Sequence, residues 1–232
     1  MTPHPSAPAP APAPVPTHAL LVQALLAPGD ATAAFRAWEA LAASWETASD
    51  WDAPRGTLRL ERLAHAAASD GPRPAYAYFR LPAPHPMDTR DALAFAVAAE
   101  TAFPAARELR AARLERVFAA EGASAGAAPR MHYVVEMDPE AGWMPDIARW
   151  YDEEHMPGLA AVPGCVRAER FLNHDSGPLS LACYDLETEA AFNSPPWLAV
   201  RATDWSSRMR PHFTNTVRTM FSRLPAPPDA GG

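Results

Sequence analysis

Hydrophobic and polar residues alternate along residues 131–138, where the odd positions hold Met131, Tyr133, Val135 and Met137. A period of two residues is typical of a strand that is buried on one side. Residues 165–172, 179–186 and 212–224 have the same strand character. Together these four segments predict an antiparallel sheet in the second half of the chain.

Helical spacing separates these strands. Asp146 can cap a first helix, on which Ile147, Trp150 and His155 recur at intervals typical of one helix face. Ser194, followed by two prolines, favours the start of a second helix, because proline suits a first turn in which its missing N–H is not needed. The order β-α-β-β-α-β is that of a ferredoxin-like unit.

The first half repeats this order more weakly. Its predicted strands are residues 18–26, 57–66, 75–81 and a segment within 107–119, and its predicted helices are 31–45 and 88–103. Short echoes between the halves support a duplication, such as Arg36-Ala37-Trp38 beside Ala148-Arg149-Trp150. We therefore expect an α+β protein made of two tandem ferredoxin-like β-α-β-β-α-β units.

A ferredoxin-like sheet carries helices on one face only, so its other face must be covered. Two such antiparallel sheets that pack face to face solve this problem and form an α/β barrel. Both sheets can come from one chain, or each can pair across a homodimer. The sequence predicts the barrel and leaves these two ways of closing it open.

Composition divides the chain into five segments. Residues 1–17 and 225–232 are rich in proline and alanine, which predicts a disordered arm and a disordered tail. Residues 121–130 are rich in alanine, glycine and serine and predict a linker. This linker separates a degenerate ferredoxin-like half at 18–120 from a clearer half at 131–224.

Charge and composition exclude several functional classes. The chain has 27 acidic and 20 basic residues and a net charge of −7, which argues against nucleic acid as a partner. All the basic residues are arginine, so a lysine Schiff base and a Walker-type phosphate loop are excluded. No apolar run approaches the ~18 residues that cross a bilayer, and the N-terminus lacks a signal-peptide pattern. We expect no membrane partner and a cytoplasmic protein.

Motifs for disulfides, metals and serine nucleophiles are weak. Cys165 and Cys183 make neither a disulfide scaffold nor a zinc site, and His155 lacks the second histidine of a zinc-binding helix. We therefore expect no metal. The Gly-x-Ser-x-Gly pattern at Gly122–Gly126 is interpreted as a chance match, because Pro129 follows it instead of a helix.

The densest polar cluster is Tyr151-Asp152-Glu153-Glu154-His155. On an α-helix, Asp152 lies three residues and Tyr151 four residues before His155, so either side chain can reach the imidazole. A neighbouring carboxylate would orient the histidine and raise its pKa toward the range of acid–base catalysis. The alternative is a solvated acidic helix end with a histidine near the C-terminal dipole.

The run RWYDEEHMPGLAAVPG, Arg149 to Gly164, together with the strand that follows it, resembles the EthD-like branch of the dimeric α/β-barrel superfamily. Members of that branch carry a W-Y-x-x-H-x-P-like helix followed by V-P-G and a strand. This chain has three residues instead of two between Tyr151 and His155. The segment Ser194 to Val217 resembles the same branch, and the resemblance covers the second half.

The resemblance implies a barrel with a small organic ligand inside. Relatives include polyketide cyclases, lactone isomerases, cofactor-free quinol oxygenases and haem-binding branches. Carried over to this sequence, His155 is the candidate base, with Asp152 or Tyr151 as its orienting partner. His212 and Asn215, on the last strand, match family positions less closely and are candidates for substrate binding.

The first half lacks this histidine. At the position aligned with His155, counted from Trp38 against Trp150, it has Ala43. If the halves are duplicates, only the second one kept the motif.

Further candidates for substrate binding come from the strands and from one helix. His132 and Glu136 share a face of the first strand of the second half; that face looks into the barrel or is an exposed edge. Arg170 can stabilise an enolate, or it can simply pair with an acid. Trp150 can wall an aromatic pocket, although tryptophans at helical spacing more often belong to the core.

These observations support three hypotheses. The first is a cofactor-independent isomerase, cyclase or lyase that acts on an aromatic or polyketide-like carbonyl compound, with His155 as the base. The second is a non-catalytic protein of the same fold that binds a small ligand. The third is a haem protein with His155 or His212 as the axial ligand.

Overall fold

The computed structural model describes residues 18–48, 59–65, 71–81 and 87–224. The predicted arm and tail lie outside these ranges. Each half of the chain has the predicted order β-α-β-β-α-β. No helix within the described ranges has both the length and the apolar character needed to cross a membrane.

The elements of the first half are β1 (His18–Leu26), α1 (Ala31–Ala48), β2 (Arg59–His65), β3 (Arg73–Leu81), α2 (Thr89–Ala102) and β4 (Arg107–Glu121). A capping box begins α2. The Asp88 side chain accepts the N–H groups of Arg90 and Asp91, and the Asp91 side chain accepts the N–H of Asp88.

The elements of the second half are β5 (Met131–Pro139), α3 (Met144–Trp150), a π-helical turn (Tyr151–His155), α4 (Met156–Ala160), β6 (Cys165–Asn173), β7 (Ser180–Leu186), α5 (Pro195–Arg201), α6 (Asp204–Met209) and β8 (Phe213–Arg223). Short 3₁₀ turns precede α5 and β8, at Glu189–Ala191 and Arg210–His212. The last predicted helix is thus two short helices, and the Thr203 side chain caps the second of them by accepting the N–H of Ser206.

The eight strands form one closed barrel in the order β1-β3-β2-β8-β5-β7-β6-β4, and every pair is antiparallel. Within each half the fourth strand lies beside the first, the first beside the third and the third beside the second. The halves join through β2 with β8 and β4 with β6. The predicted fold class is confirmed, and the barrel closes within a single chain. A homodimer is therefore not needed to complete it and stays a prediction.

Three apolar layers hold the fold together. One lies between the first sheet and its helices and centres on Phe35 and Trp38, and one lies between the second sheet and its helices and centres on Trp150 and Trp197. The third fills the barrel with side chains from both halves: Ala19, Leu21, Tyr76, Tyr78, Leu114, Val134, Phe171, Leu181, Cys183 and Phe221. The barrel interior is therefore a packed core.

The predicted linker is attached to the second half. The N–H groups of Gly122 and Ser124 donate to the carbonyls of Val166 and Cys165, and the Ser124 hydroxyl accepts the N–H of Gly164. A Cβ at Gly122 would lie 2.1 Å from the carbonyl oxygen of Cys165, so only glycine fits there. Ser124 therefore anchors a loop, and no helix follows it.

The two cysteines are free and buried in different layers. Cys165 packs beneath the second-half helices, whereas Cys183 lies inside the barrel. Burial raises the pKa of Cys165 to about 12 and that of Cys183 well above its ordinary value. Both thiols therefore stay protonated and act as small core residues.

Candidate functional site

The helix that carries the polar cluster runs without a break from Met144 to Ala160, but its middle turn is a π-helix. The N–H of Met156 donates to the carbonyl of Tyr151, five residues earlier. An α-helix brings residues three or four apart onto one face. A π turn instead aligns residues five apart, and such turns are frequent at functional sites.

This turn places the ring of Trp150 against that of His155. Their centroids are 4.2 Å apart and their planes differ by 26°. The Tyr151 ring meets the imidazole edge-on at 5.7 Å. Tyr151 thus contacts His155 through its ring, and the main packing partner is Trp150.

The acids before His155 point away from it. Asp152 accepts a hydrogen bond from Arg170 at 2.9 Å. Glu154 accepts from the indole N–H of Trp150, and Glu153 is exposed. The predicted contact between Asp152 and His155 is absent, because the residue added to the turn moves residue i−3 off the face of the histidine.

Burial dominates the electrostatics of His155. Its side chain is 8% exposed, and its Nδ1 has no hydrogen-bond partner among the described residues. Burial, followed by the charges of Arg201 and Arg210, lowers the pKa of His155 from 6.5 to about 3. The expectation of a raised pKa is wrong, and the imidazole is neutral at pH 7.

His155 lines a pocket between the second sheet and its helices. The pocket has a volume of about 30 Å³, which is room for one or two water molecules. Its walls are mainly aromatic and comprise Tyr133, Trp150, Tyr151, Tyr184, Trp197 and Phe213. The imidazole therefore faces a sheltered space and not bulk water.

Three arginines complete the lining of this pocket. Arg201 ends α5, Arg210 follows α6, and Arg218 lies on β8 opposite Val135. No acid lines the pocket with them, and none of the three forms an ion pair within the part of the chain that the structure describes. Burial and the neighbouring arginines lower the pKa of Arg210. Sequence reasoning missed all three, because they come from three elements and share no motif.

Arg170 holds the π turn against the sheet. It extends from β6, is 2% exposed, and places its guanidinium 5.6 Å from the centre of the Tyr151 ring. Its Nη2 donates to Asp152 at the same time. Arg170 thus lies behind Tyr151 and outside the pocket lining, where it positions the turn.

His132 and Glu136 lie on the opposite face of the sheet from the pocket, because strand residues alternate between faces. His132 Nδ1 lies 2.7 Å from Asp185 Oδ1 inside the barrel. Glu136 accepts the hydroxyl of Tyr76 at 2.6 Å and the amide of Gln23 at 2.9 Å. Both candidates look into the barrel, but the structure does not bring them to His155.

Asp185 is the centre of a buried ion network. It accepts from His132, Arg167 and Arg223. Burial alone would raise its pKa, but the hydrogen bond from His132 and the three neighbouring positive or polarised groups lower it below the ordinary value. Within the described ranges no cluster of His, Cys, Asp and Glu could hold a metal ion.

His212 and Asn215 also lie away from the pocket. The His212 ring stacks on Trp143 with centroids 3.3 Å apart, and its Nδ1 lies 2.6 Å from Glu140. Asn215 is exposed, has a φ of 50°, and donates its side-chain amide to Asp138. A register shift between β5 and β8 falls between Thr214 and Val217, so Asn215 lies outside the regular pairing of the two strands.

Among the described residues of the first half, no histidine takes the place of His155. Its helix α1 is a regular α-helix, so Ala42, four residues after Trp38, is buried on the core face, whereas Ala43 is exposed. The alignment of Ala43 with His155 by counting residues is therefore not a spatial match. The corresponding layer is filled by Phe35, Trp38 and Phe95.

No family model and no curated protein matches the sequence. Solved structures match its fold. A proposed monooxygenase from Fusobacterium nucleatum aligns over 91% of this chain and 93% of its own, with a TM-score of 0.57 and 10% identity. A chlorite dismutase from Candidatus Nitrospira defluvii aligns over 90% and 91%, with a TM-score of 0.53 and 11% identity.

A third match is an anthrone oxidase-like protein, which aligns over 89% of this chain and 91% of its own with a TM-score of 0.52 and 10% identity. Identities this low show a shared fold and do not transfer an activity. The fold that this chain shares with these structures is a closed barrel built from two tandem β-α-β-β-α-β halves.

Proposed function

We propose that this chain is a small-molecule enzyme of the dimeric α/β-barrel type, in its EthD-like branch, and that the His155 pocket is its active site. The reaction is a cofactor-independent isomerisation, cyclisation or lyase step on an aromatic or polyketide-like carbonyl compound. One observation carries the proposal: a buried neutral imidazole lines the same pocket as three arginines that have no acidic partner among the described residues.

His155 acts as the base. A neutral imidazole has a free lone pair at pH 7, and it takes the proton from the carbon next to the carbonyl while the electron pair moves to the carbonyl oxygen. Arg201, Arg210 and Arg218 stabilise the resulting enolate. The enolate in turn offsets the arginine charges that lower the pKa of His155, so the imidazolium becomes more favourable as the enolate forms.

The enolate then determines the product. Return of the proton at another carbon gives an isomer, expulsion of a leaving group gives a lyase product, and attack on a second carbonyl gives a ring. Trp150 and Tyr151 hold the imidazole in place by ring packing. Arg170 and Asp152 position the turn that carries it and do not touch the reacting atoms.

The proposal is tested without knowledge of the natural substrate. A panel of aryl ketones and aryl β-keto esters is incubated with the protein in D₂O, and exchange of the hydrogen next to the carbonyl is followed by NMR. The native chain should accelerate exchange, and His155→Gln should lower the rate by about 100-fold or more. Arg208→Gln, which removes an exposed arginine outside this pocket, is the matched control. Full exchange in a folded His155→Gln variant would contradict the role of His155.

A non-catalytic binding protein is the second candidate. The low pKa of His155 favours it, because a base with a pKa of about 3 is weak before any ligand binds. The same panel separates the two functions. Saturable binding without accelerated exchange at any tested carbonyl compound would support the binding protein.

The side chains that line the His155 pocket do not fit a haem group. The ring of His155 is stacked on Trp150, and among the described residues its Nδ1 has no hydrogen bond to orient it as an axial ligand. His212 is held between Trp143 and Glu140 outside the pocket. An absorption spectrum after haem addition tests this, and we expect no Soret band of a protein-bound haem.

A further inference from the structure

We infer that the His155 pocket binds an aromatic acid in its anionic form, with the carboxylate on Arg201, Arg210 and Arg218 and the aryl ring against Trp150 and Trp197. The inference rests on the proposed function only in taking this pocket as the substrate site. It adds a substrate class, because the carbonyl chemistry alone does not require a charged substrate.

The first argument is the charge of the pocket. Arg201, Arg210 and Arg218 bring three positive charges to one cavity in a chain whose net charge is −7. The described residues provide no carboxylate to offset them at this place. Like charges held together without a counter-ion destabilise the folded protein, so a site of this kind is completed by an anion.

Arginines with a structural role in the barrel form ion pairs with buried carboxylates. Arg167 and Arg223 both donate to Asp185, and Arg80 and Arg116 both donate to Glu169. Each buried carboxylate there thus neutralises two or more guanidinium groups. Among the described residues the pocket arginines depart from this pattern, which leaves their guanidinium groups available to an anionic ligand.

The second argument is the unsatisfied polar atoms. The indole N–H of Trp197, a residue with no exposed surface, has no acceptor among the described residues, and Nδ1 of His155 is equally unpartnered. Buried polar groups without partners destabilise the folded protein. Both residues line the pocket, so a ligand that brings oxygen acceptors can satisfy them.

The third argument is the shape and chemistry of the walls. Apart from the arginines and His155, the lining is almost wholly aromatic, with Trp150, Tyr184 and Trp197 among the largest fully buried side chains. Aromatic walls favour a flat aryl group, and the planar fork of arginine matches a carboxylate. The pocket is small, but its arginine side reaches solvent, because Arg218 is exposed and Arg201 and Arg210 are half-buried. These long side chains can move outward as the ligand enters.

The test compares charged and neutral ligands of one shape. Benzoate, salicylate and 2-naphthoate are titrated into the full chain by calorimetry, each beside its carboxamide, and inorganic phosphate is titrated separately. We expect at least one carboxylate to bind, its amide to bind at least tenfold more weakly, and Arg201→Gln and Arg210→Gln each to weaken carboxylate binding at least tenfold. Arg208→Gln removes the same charge outside the pocket and should leave binding unchanged.

Several outcomes would overturn the inference: equal binding of an acid and its amide, unchanged binding in both pocket variants, absence of binding by all three acids, or binding of phosphate alone. His155→Gln separates this inference from the proposed function. If that variant binds the carboxylate as the native chain does and also keeps its proton exchange, the anion site stands and the proposed base is wrong.

Discussion

The imidazole of His155 stacks on the indole of Trp150 with ring centroids 4.2 Å apart, although the two residues are five positions apart in one helix. In a regular α-helix such residues point in different directions, because each residue turns the chain by about 100°. The π turn at Tyr151–His155 is what joins them. Tyr151 and His155 both line the pocket, and their ring centroids lie 5.7 Å apart.

Deletion of Glu153 should convert the π turn into an α turn. The Glu153 side chain is exposed, and its removal would put Trp150 and the histidine four residues apart, again on one face. We expect a folded protein whose stability is equal or greater by up to about 1 kcal/mol, which is about 2–4 °C in Tm for a chain of this size. Circular dichroism during thermal unfolding measures this.

Deletion of Ala148 is the matched control. It shortens the same helix by one residue before the π turn, so it leaves the turn in place and rotates the start of the helix relative to Trp150. Residues such as the buried Ile147 would leave the core. Equal destabilisation by both deletions would contradict this prediction. It would show that the extra residue in the π turn cannot be removed without damage to the fold.

The low pKa of His155 predicts a pH-dependent stability. The unfolded chain binds a proton near pH 6.5, whereas the folded chain binds it only near pH 3. Between these values the unfolded state holds more protons, so stability falls as the pH falls below about 6.5. The groups that line the pocket with His155 include Arg201, Arg210 and Arg218, and no acid among the described residues lines it to reverse this sign.

The measurement compares the native chain with His155→Gln, which removes the titrating group. From about pH 7 to pH 5 the native chain should lose about 2 kcal/mol more than the variant in urea unfolding experiments. Groups such as Asp185 titrate in both proteins and cancel in the difference. Parallel pH curves for the two proteins would show that His155 is accessible and titrates normally.

Asp152→Asn should leave the pKa of His155 unchanged, because Asp152 contacts Arg170 and not the imidazole. Its side chain is also 41% exposed, so solvent screens its charge. We expect the proton-exchange rate to fall by less than tenfold, against about 100-fold or more for loss of the base. An Asp152→Asn variant as inactive as His155→Gln would restore Asp152 as the orienting partner.

The sequence predicted the architecture well because strand and helix periods act locally. The alternation over residues 131–138 placed β5, and Ser194 followed by two prolines placed the start of α5. It also predicted that His132 and Glu136 share a face. It did not reveal that this face belongs to the packed barrel interior, because both faces of this sheet are buried and alternation alone does not say which one meets the helices.

The candidate site was harder to predict for two physical reasons. Spacing rules assume α-helical geometry, so they assigned Asp152 to His155, and only the extra residue in the W-Y-x-x-H-like pattern signalled a different turn. The arginines of the pocket come from α5, a 3₁₀ turn and β8. These segments are far apart in the sequence and meet only in the folded protein. All the basic residues of the chain are arginine, so the sequence does not distinguish the three pocket arginines from the others.

Loss of the Asp185 charge should lower the free energy of unfolding far more than loss of a surface ion pair. Asp185 is 3% exposed and accepts from His132, Arg167 and Arg223. Asp185→Asn would remove the buried carboxylate charge that Arg167 and Arg223 share and should cost about 3 kcal/mol in the free energy of unfolding. Asp146→Asn, which breaks an exposed pair with Arg149, should cost about 0.5 kcal/mol or less. Urea unfolding of both variants measures the difference, and an equal small loss would mean that water reaches Asp185 and screens the network.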